Sequence, residues 1–338
     1  MIPVPGAWVP LEVTPAPPDP HAGHGGGMAP MPGMSAGPVE AWSFQPDWLW
    51  LSVAAVLLVG YTVGRIALAR RGIAWPAGRT IAWSFGVATL VASTCTGAAA
   101  LGASMLSWHM VQHMTLSMLT PILLLLGRPV TLALRALPTT GRAGAARRGL
   151  LTLLRSRFAR VVTHPGFTIP LFFVSLYGLY FSPALDALMA SHAGHQFMLA
   201  HFLVTGTAFF LPLIAADPIP GLPSPGARLL LLAISVPLHA FFGVTVMSAS
   251  APISEHFAYA TAALGTNPLA DQHLAGGFAW TFGEIPTLAA TLIIFTQWVR
   301  HDRRQAARLD RDADRTGDRE LEAYNEALRT LRDRAGSE

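Results

Sequence analysis

Residues 105–126 read MLSWHMVQHMTLSMLTPILLLL, an uninterrupted run of 22 residues without Asp, Glu, Lys or Arg. A helix that crosses a membrane needs about 20 mainly apolar residues, so this run is long enough to span a bilayer. Six further apolar windows of similar length occur along the chain. The seven predicted spans are residues 48–68, 80–101, 105–126, 166–189, 196–216, 228–250 and 274–298. The sequence therefore predicts an all-α integral membrane protein, a bundle of seven transmembrane helices.

The composition also favours a membrane protein. Of the 338 residues, 52% are hydrophobic and only 12% are charged, about half the charged fraction of an average soluble protein. Lysine is absent, which excludes a Schiff-base pigment, and the single cysteine, Cys95, excludes an internal disulfide or a CxxC site. No basic groove with interleaved aromatic residues indicates nucleic acid, so membrane lipid is the expected surrounding partner.

The placement of arginine predicts the orientation of the bundle. Arginines occur in the first, third and fifth loops and after the last span, but not in the N-terminal tail or the second, fourth and sixth loops. Positive residues are retained on the cytoplasmic side, so this alternation predicts an N-terminus outside and a C-terminus in the cytoplasm. Seven spans fit the alternation, whereas six or eight would break it. The expected location is the bacterial cytoplasmic membrane, with several passes.

Three segments follow from this topology. Residues 1–47 form a Pro/Gly/His/Met-rich tail, predicted to be disordered and extracytoplasmic. Residues 48–299 form the predicted seven-helix membrane domain, and residues 300–338 a charged cytoplasmic helical tail. In the third loop, apolar residues recur at helical spacing among arginines, which predicts an interfacial helix on the inner leaflet. The apolar residues of this predicted helix are Leu150, Leu154, Phe158 and Val161.

Ionisable residues inside the predicted spans are the strongest indication of function, because burying them in a bilayer is costly. Four spans carry such groups, mostly in their outer halves, and we expect them to face the interior of one bundle. They are His109 and His113 in the third span, His195 and His201 in the fifth, His239 in the sixth, and His273 and Glu284 at the start of and within the seventh. His109 and His113 lie one helical turn apart and share a face.

These residues make copper the expected ligand. Histidine is the commonest transition-metal ligand, and thioether sulfur selects Cu(I). Met110 and Met114 neighbour the His109/His113 face and join the candidate ligands. A methionine stripe alone is more often core packing, and a lone buried histidine is more often a hydrogen-bonded core group. The convergence of histidines from several spans makes that simpler interpretation weaker here.

The N-terminal tail provides a second candidate copper site. Residues 21–34 read HAGHGGGMAPMPGM, and a flexible chain with such ligands can wrap a copper ion without a preformed site. Low-complexity bias explains the glycines but not the regularly spaced methionines. The candidate ligands are His21, His24, Met28, Met31 and Met34.

Three stretches of sequence resemble a known family. They are SWHMVQHMTLSMLTPILLLLGRPVTLALRALP at residues 107–138, FFLPLIAADPIPGLPSPGARLLLLAISVPLHAFFGVTVMS at 209–248, and DQHLAGGFAW at 271–280. Together they resemble the CtaG family of cytochrome c oxidase assembly factors, the multispanning family linked to caa3-type oxidases. The resemblance implies a role in maturing a haem–copper oxidase, with oxidase subunits and other copper chaperones as candidate partners.

The resemblance also implies which histidines are candidate functional residues. The family's histidine positions carry over to His109, His113, His195, His201 and His239, whereas His273 stands where glutamine is commoner in the family.

The favoured hypothesis is a non-enzymatic assembly factor that binds or delivers copper at the outer side of the membrane. A copper transporter is an alternative, because prolines interrupt several spans, but polar groups become sparse in the inner half. A haem- or metal-binding membrane oxidoreductase is another, with paired histidines as axial ligands. No nucleophile–base constellation or phosphate-binding glycine loop predicts hydrolysis or nucleotide chemistry.

Overall fold

The computed structural model describes residues 43–215, 217–219, 221–316 and 319–336. Over these residues the chain is helical, and an isolated bridge between Phe44 and Thr96 is the only β-type pairing. The all-α prediction is confirmed. The helices are α1 (Trp48–Ala69), α2 (Ala77–Thr94), α3 (Gly97–Ser104), α4 (Leu106–Met114), α5 (Thr120–Leu126), α6 (Pro129–Ala136), α7 (Gly141–Arg155), α8 (Arg157–Val162), α9 (Pro165–Tyr180), α10 (Ala184–Met189), α11 (His192–Ile214), α12 (Pro225–Ser248), α13 (Glu255–Ala263), α14 (Pro268–Thr316) and α15 (Arg319–Ala335). A π-helical segment, Thr115–Leu119, joins α4 to α5.

Five helical segments are long and apolar enough to cross a membrane. They are Trp48–Ala69, Leu106–Ala136, His192–Ile214, Pro225–Ser248 and Pro268–Ala313. A shorter apolar helix, Pro165–Tyr180, lies in the fourth predicted span, and the 18-residue helix α2 lies in the second. These segments indicate a multi-pass membrane protein. The count of seven spans and their orientation remain predictions.

Two of the predicted spans are interrupted. The second, residues 80–101, divides into α2 and α3 because Thr96 caps the new helix, its hydroxyl accepting a hydrogen bond from the N–H of Ala98 at 3.3 Å. The fourth, residues 166–189, divides into α9 and α10. Pro183 follows the end of α9 and has no N–H with which to continue the helix, so α10 begins after it.

The third loop is helical, as predicted, but it contains two helices rather than one. Ser156 separates α7 from α8 because its hydroxyl accepts a hydrogen bond from the N–H of Ala159 at 3.0 Å and caps α8. Leu153, Phe158 and Val161 are exposed and present an apolar surface beside the arginines of this loop. The location of this surface at a lipid interface remains a prediction.

The helices pack around two apolar cores. The larger core is built mainly from α4, α5, α9, α11, α12 and α14, with further residues from α1, α2, α10, α13 and the π-helical segment. The smaller core joins α1, α2 and α6, where Tyr61 stacks on Trp83 with ring centroids 4.7 Å apart. The hydroxyl of Tyr61 donates to the carbonyl of Gly127 at 2.9 Å and accepts from the indole N–H of Trp75 at 3.0 Å. The tyrosine hydroxyl is therefore satisfied within an apolar contact.

Gly206 of α11 packs against the π-helical segment. A Cβ added to Gly206 would lie 2.0 Å from the carbonyl oxygen of Ser117, closer than any side-chain carbon can approach. Small residues allow such close backbone contacts between helices in membranes. Glycine at this position thus sets the distance between α11 and the chain that follows His113.

Buried aspartates from distant parts of the chain cap two helices. Asp271 of α14 accepts hydrogen bonds from the N–H of Ser107, at 3.2 Å, and from the hydroxyl of the same residue in the first turn of α4. Asp217 accepts in the same way from the N–H of Thr131, at 2.8 Å, and from its hydroxyl in α6. A carboxylate at a helix N-terminus satisfies free N–H groups and interacts favourably with the helix dipole.

Asp186 caps α13 and lies in α10, beyond the end of the apolar helix α9. Its carboxylate accepts from the hydroxyl of Ser254 at 2.5 Å and from the N–H groups of Glu255 and His256 at 3.2 Å each. Burial acts to raise the pKa of Asp186, but these hydrogen bonds outweigh it and hold the pKa below its usual value.

We expect Asp186→Ala to loosen α13. Loss of a helix cap costs about 1 kcal/mol, so amide exchange in α13 should be roughly five times faster at pH 7, measured by hydrogen–deuterium exchange with mass spectrometry. Because the folded-state pKa is depressed, the difference from the wild type should persist from pH 7 to pH 5, begin to shrink near about pH 4 and be lost only as the pH falls through that depressed pKa. Asp302→Ala, which removes an exposed acid of α14, serves as the control, and equal exchange in both variants would refute the capping role.

Candidate metal centre

His109 lies in α4 with its imidazole completely buried. Its Nδ1 is 3.2 Å from the carbonyl oxygen of Gly102. A carbonyl can only accept, so Nδ1 carries the proton and Nε2 of the neutral ring keeps a free lone pair. Nε2 is buried and has no hydrogen-bond partner among the described residues. Metal-binding histidines are held in this way, with one ring nitrogen bonded to an acceptor and the other free to bind the ion.

His195 lies next to His109 on a different helix. Ser191 caps α11 by accepting from the N–H of Gly194 at 3.0 Å, which places His195 in the first turn. The His195 side chain is 8% exposed, and its buried Nε2 also has no partner in the described part of the chain. The ring centroids of the two histidines are 6.1 Å apart. When two imidazoles bind one ion, each with a metal–nitrogen distance of about 2.0 Å, their ring centroids lie at a similar distance from each other.

His113 is held by aromatic rings instead. Its ring stacks on Phe202, with centroids 4.1 Å apart, and its Nδ1 is 2.9 Å from the hydroxyl of Tyr180. Tyr180 is completely buried and also lies 6.0 Å, centroid to centroid, from His109. Tyr180 was not among the residues predicted from the sequence, since a tyrosine at the end of an apolar helix more often marks a membrane interface.

Helix α13 borders the histidine pair and was also missed from the sequence. Phe257 lies 5.1 Å from the His109 ring, centroid to centroid. The neighbouring His256 donates from Nε2 to the carbonyl of Ala103 at 2.9 Å, so that nitrogen is not free for a metal. The sequence around α13 carries one histidine in a stretch of mixed polarity, and nothing in it predicts contact with α4.

The remaining predicted histidines are more scattered. His201 is half-buried beside Phe197 and Phe202, with its ring centroid 6.3 and 6.2 Å from theirs. His239 of α12 is buried, and its Nε2 is a third imidazole nitrogen without a partner in the described residues. His273 is exposed on α14 and does not join the buried group.

Met110 and Met114 lie in surroundings different from those of Glu284. Met110 and Met114 are completely buried in the larger apolar core. Glu284 was expected to face the interior of the bundle, but its side chain is exposed. The reason is the packing face of α14, on which small or apolar buried residues recur every three or four positions. These residues are Ala275, Ala279, Gly283, Thr287, Ala290 and Ile294. Glu284 follows Gly283 and is therefore rotated away from that face.

Over the described residues, no three His, Cys, Asp or Glu side chains are grouped closely enough to enclose a metal ion. The remaining candidate ligands are the two buried imidazoles of His109 and His195, which we call the His109–His195 pair. An ion held there would take its other ligands from thioether, water or another chain. The tail candidates His21, His24, Met28, Met31 and Met34 lie outside the residues that the structure describes.

Residues 59–301 match the family profile described as cytochrome c oxidase caa3 assembly factor (Caa3_CtaG). The chain belongs to this family. The match contains every candidate residue of the helical bundle, from His109 to Glu284, and excludes the histidines and methionines of the tail. The resemblance seen in the three sequence stretches is thus confirmed.

Relatives of this Caa3_CtaG family member occur in mycobacteria. Uncharacterised proteins of Mycobacterium bovis and Mycobacterium tuberculosis are each 46% identical over 308 residues, which cover 89% of this chain and 46% of theirs. A protein of Mycobacterium leprae is 41% identical over 295 residues, covering 86% of this chain and 44% of its own. The chain spans less than half the length of these relatives. No solved structure matches it.

Proposed function

We propose that this protein assists the assembly of a caa3-type cytochrome c oxidase by holding copper at the His109–His195 pair and passing it to oxidase subunits. Membership of the Caa3_CtaG family supports the assembly role and favours a non-catalytic one. Copper is the cargo in this proposal, and the protein changes no covalent bond. The predicted orientation places the pair in the outer half of a bacterial cytoplasmic membrane. There, the tail or another copper chaperone would deliver the ion.

One observation carries the copper proposal. The Nε2 atom of His109 is buried and has no partner among the residues that the structure describes, while its Nδ1–H is fixed on the carbonyl of Gly102. An unsatisfied buried polar atom costs about 1–3 kcal/mol, and His195 provides a second such atom nearby. A metal ion would satisfy both. Neutral imidazoles suit copper, and a set of few neutral ligands permits release to a partner.

The direct test is Cu(I) affinity, measured by competition with a chromophoric chelator on the full-length protein in lipid nanodiscs. We expect His109→Ala and His195→Ala each to weaken binding by about tenfold or more. The double variant should lose little beyond either single variant, because both rings bind one ion. His273→Ala is the matched control, since it removes an exposed histidine from α14.

The same variants test the assembly role in cells that lack the native protein. We expect the histidine variants of the pair to lower the copper content and activity of the oxidase, while the His273 variant restores both. Thermal unfolding of each purified variant separates loss of the site from loss of the fold. Unchanged Cu(I) affinity in well-folded His109 and His195 variants would refute the proposal.

A further inference from the structure

A small cleft lies between α12 and α14. Its volume is about 30 Å³, and it is lined by His239 on one helix and by Trp280, Gly283 and Glu284 on the other. This is enough space for one water molecule or one ion. The cleft brings together an imidazole and a carboxylate that are 45 residues apart in the sequence.

His239 reaches the cleft because residue 283 is glycine. A Cβ at position 283 would lie 3.1 Å from Nδ1 and 3.3 Å from Cε1 of His239, so the ring rests directly on the α14 backbone. The His239 side chain is only 6% exposed. Its Nε2 has no hydrogen-bond partner in the part of the chain that the structure describes. A residue that lines the cleft therefore carries a buried nitrogen whose bonding capacity is unused among the described residues.

Glu284 supplies the complementary group. It lies within Pro268–Ala313, a segment apolar and long enough to cross a membrane, and exposed Ile285 and Leu288 flank it. Across the described residues, no hydrogen bond or ion pair reaches its carboxylate. An uncompensated carboxylate against lipid is costly, and such groups usually mark a binding or transport site.

We propose that this cleft, the His239–Glu284 cleft, binds a borderline divalent cation of the Cu(II) or Zn(II) type through the free nitrogen of His239 and the carboxylate of Glu284. Imidazole and carboxylate are ligands that such ions accept, and the cation offsets the charge of the acid within the membrane. A group from a neighbouring chain packed on the exposed face of α14 completes the coordination, because Glu284 and Trp280 of the cleft lie on that face. Two protein ligands make the ion exchangeable.

This site differs in chemistry from the His109–His195 pair. The pair offers two neutral nitrogens and suits Cu(I), whereas the cleft offers a nitrogen and an anionic oxygen and suits a divalent ion. The proposal does not depend on the pair binding copper, so the two sites can be tested separately.

Trp280 provides a local probe, because it lines the cleft and bound Cu(II) quenches tryptophan fluorescence. The full-length protein in nanodiscs is titrated with Cu(II), and the part of the quenching that disappears in Trp280→Phe is assigned to the cleft. We expect this part to saturate in the wild type and to be competed by Zn(II). Glu284→Gln, a substitution of nearly equal size at an exposed position, should weaken it by about tenfold or more. Asp302→Asn, on the same helix outside the cleft, should leave it unchanged.

His239→Gln is the second variant and should weaken the Trp280 signal to a similar extent. Since His239 is buried, its thermal unfolding is compared with that of the wild type, and the Glu284 variant decides the question if His239→Gln does not fold. If the Trp280 component has the same midpoint in Glu284→Gln as in the wild type, the carboxyl binds no ion and the inference is overturned.

Cu(I) affinity measured on the same samples separates this inference from the proposed function. A normal Cu(I) affinity in Glu284→Gln, together with loss of the Trp280 component, supports two independent sites. Loss of Cu(I) binding in the His109 and His195 variants, with quenching by Cu(II) unchanged in Glu284→Gln, supports the pair alone and overturns the cleft. Loss of the Trp280 component in Glu284→Gln, with unchanged Cu(I) binding in the His109 and His195 variants, supports the cleft alone.

Discussion

Replacing Gly206 with valine should prevent the protein from accumulating in a folded form. A Cβ at this position would lie 2.0 Å from the carbonyl oxygen of Ser117 and 2.5 Å from its carbonyl carbon and Cα. These are backbone atoms of the π-helical segment and cannot rotate aside as a side chain can. The two helices would have to separate by an ångström or more, and a close-packed interior does not absorb such a shift. We expect a loss of about 3 kcal/mol or more in the free energy of unfolding.

The measurement is the amount of protein recovered from membranes, followed by size-exclusion chromatography and thermal unfolding in detergent. Gly60→Val is the matched control, because Gly60 lies within α1, which is long and apolar enough to cross a membrane, and no atom of the described residues lies within 4 Å of an added Cβ. This variant should behave like the wild type. If Gly206→Val gave the same yield and melting temperature as Gly60→Val, the close contact between α11 and the π-helical segment would be refuted.

The importance of this contact could not be predicted from the apolar run at residues 105–126. Hydropathy correctly identifies the run as membrane-crossing, since length and polarity are local properties. The π-helical segment within it is not a local property. It is packed against Gly206, 89 residues after Ser117, and the hydroxyls of Thr115 and Ser117 bond to carbonyls four residues earlier. Ordinary α-helices also contain such hydroxyl bonds, so the sequence alone does not distinguish the two geometries.

The histidines could be predicted as buried, but not as a particular pair. The meeting of His109 and His195 depends on how α4 and α11 rotate and cross, and helical spacing within one span does not contain that information. The tautomer of His109 depends on the carbonyl of Gly102 in the short helix α3, and Gly102 lies just beyond the continuous second span predicted for residues 80–101. The break at Thr96 thus affects the site as well as the topology.

The exposed position of Glu284 agrees with a packing face of α14 that the sequence itself indicates. The general cost of an acid in lipid suggests an inward position, but the small residues Ala275, Ala279 and Gly283 recur every four positions and mark a different face. Helices in membranes approach each other through such residues, because there is little hydrophobic driving force between them. The small-residue pattern therefore predicts the rotation of α14 better than the location of Glu284 does.

Removing the carboxylate of Asp271 should cost about 3 kcal/mol of stability and also weaken copper binding. Asp271 is 1% exposed, and it accepts from both the N–H and the hydroxyl of Ser107. The residue that precedes α4, Met105, has no side chain that can cap the helix. In Asp271→Ala, two buried donors in the first turn of α4 would lose their acceptor, at about 1–3 kcal/mol each. His109 lies two residues after Ser107, so a loosened turn would no longer hold its ring beside His195.

A series of substitutions distinguishes the capping role of Asp271 from a contribution of its side chain to packing alone. Asp271→Asn keeps an acceptor for the Ser107 N–H but loses the charge at the helix N-terminus, and it should cost about 1 kcal/mol. Unfolding in mixed micelles gives the free energies, and chelator competition gives the Cu(I) affinity. Ser107→Ala should cost less in the Asp271→Ala background than alone, because the two groups interact. Additive effects of these two substitutions would show that the carboxylate does not cap α4. An Asp271→Ala protein that is as stable as Asp302→Ala would lead to the same conclusion. The sequence around Asp271 helped to identify the family, so the presence of this acid would then need another explanation.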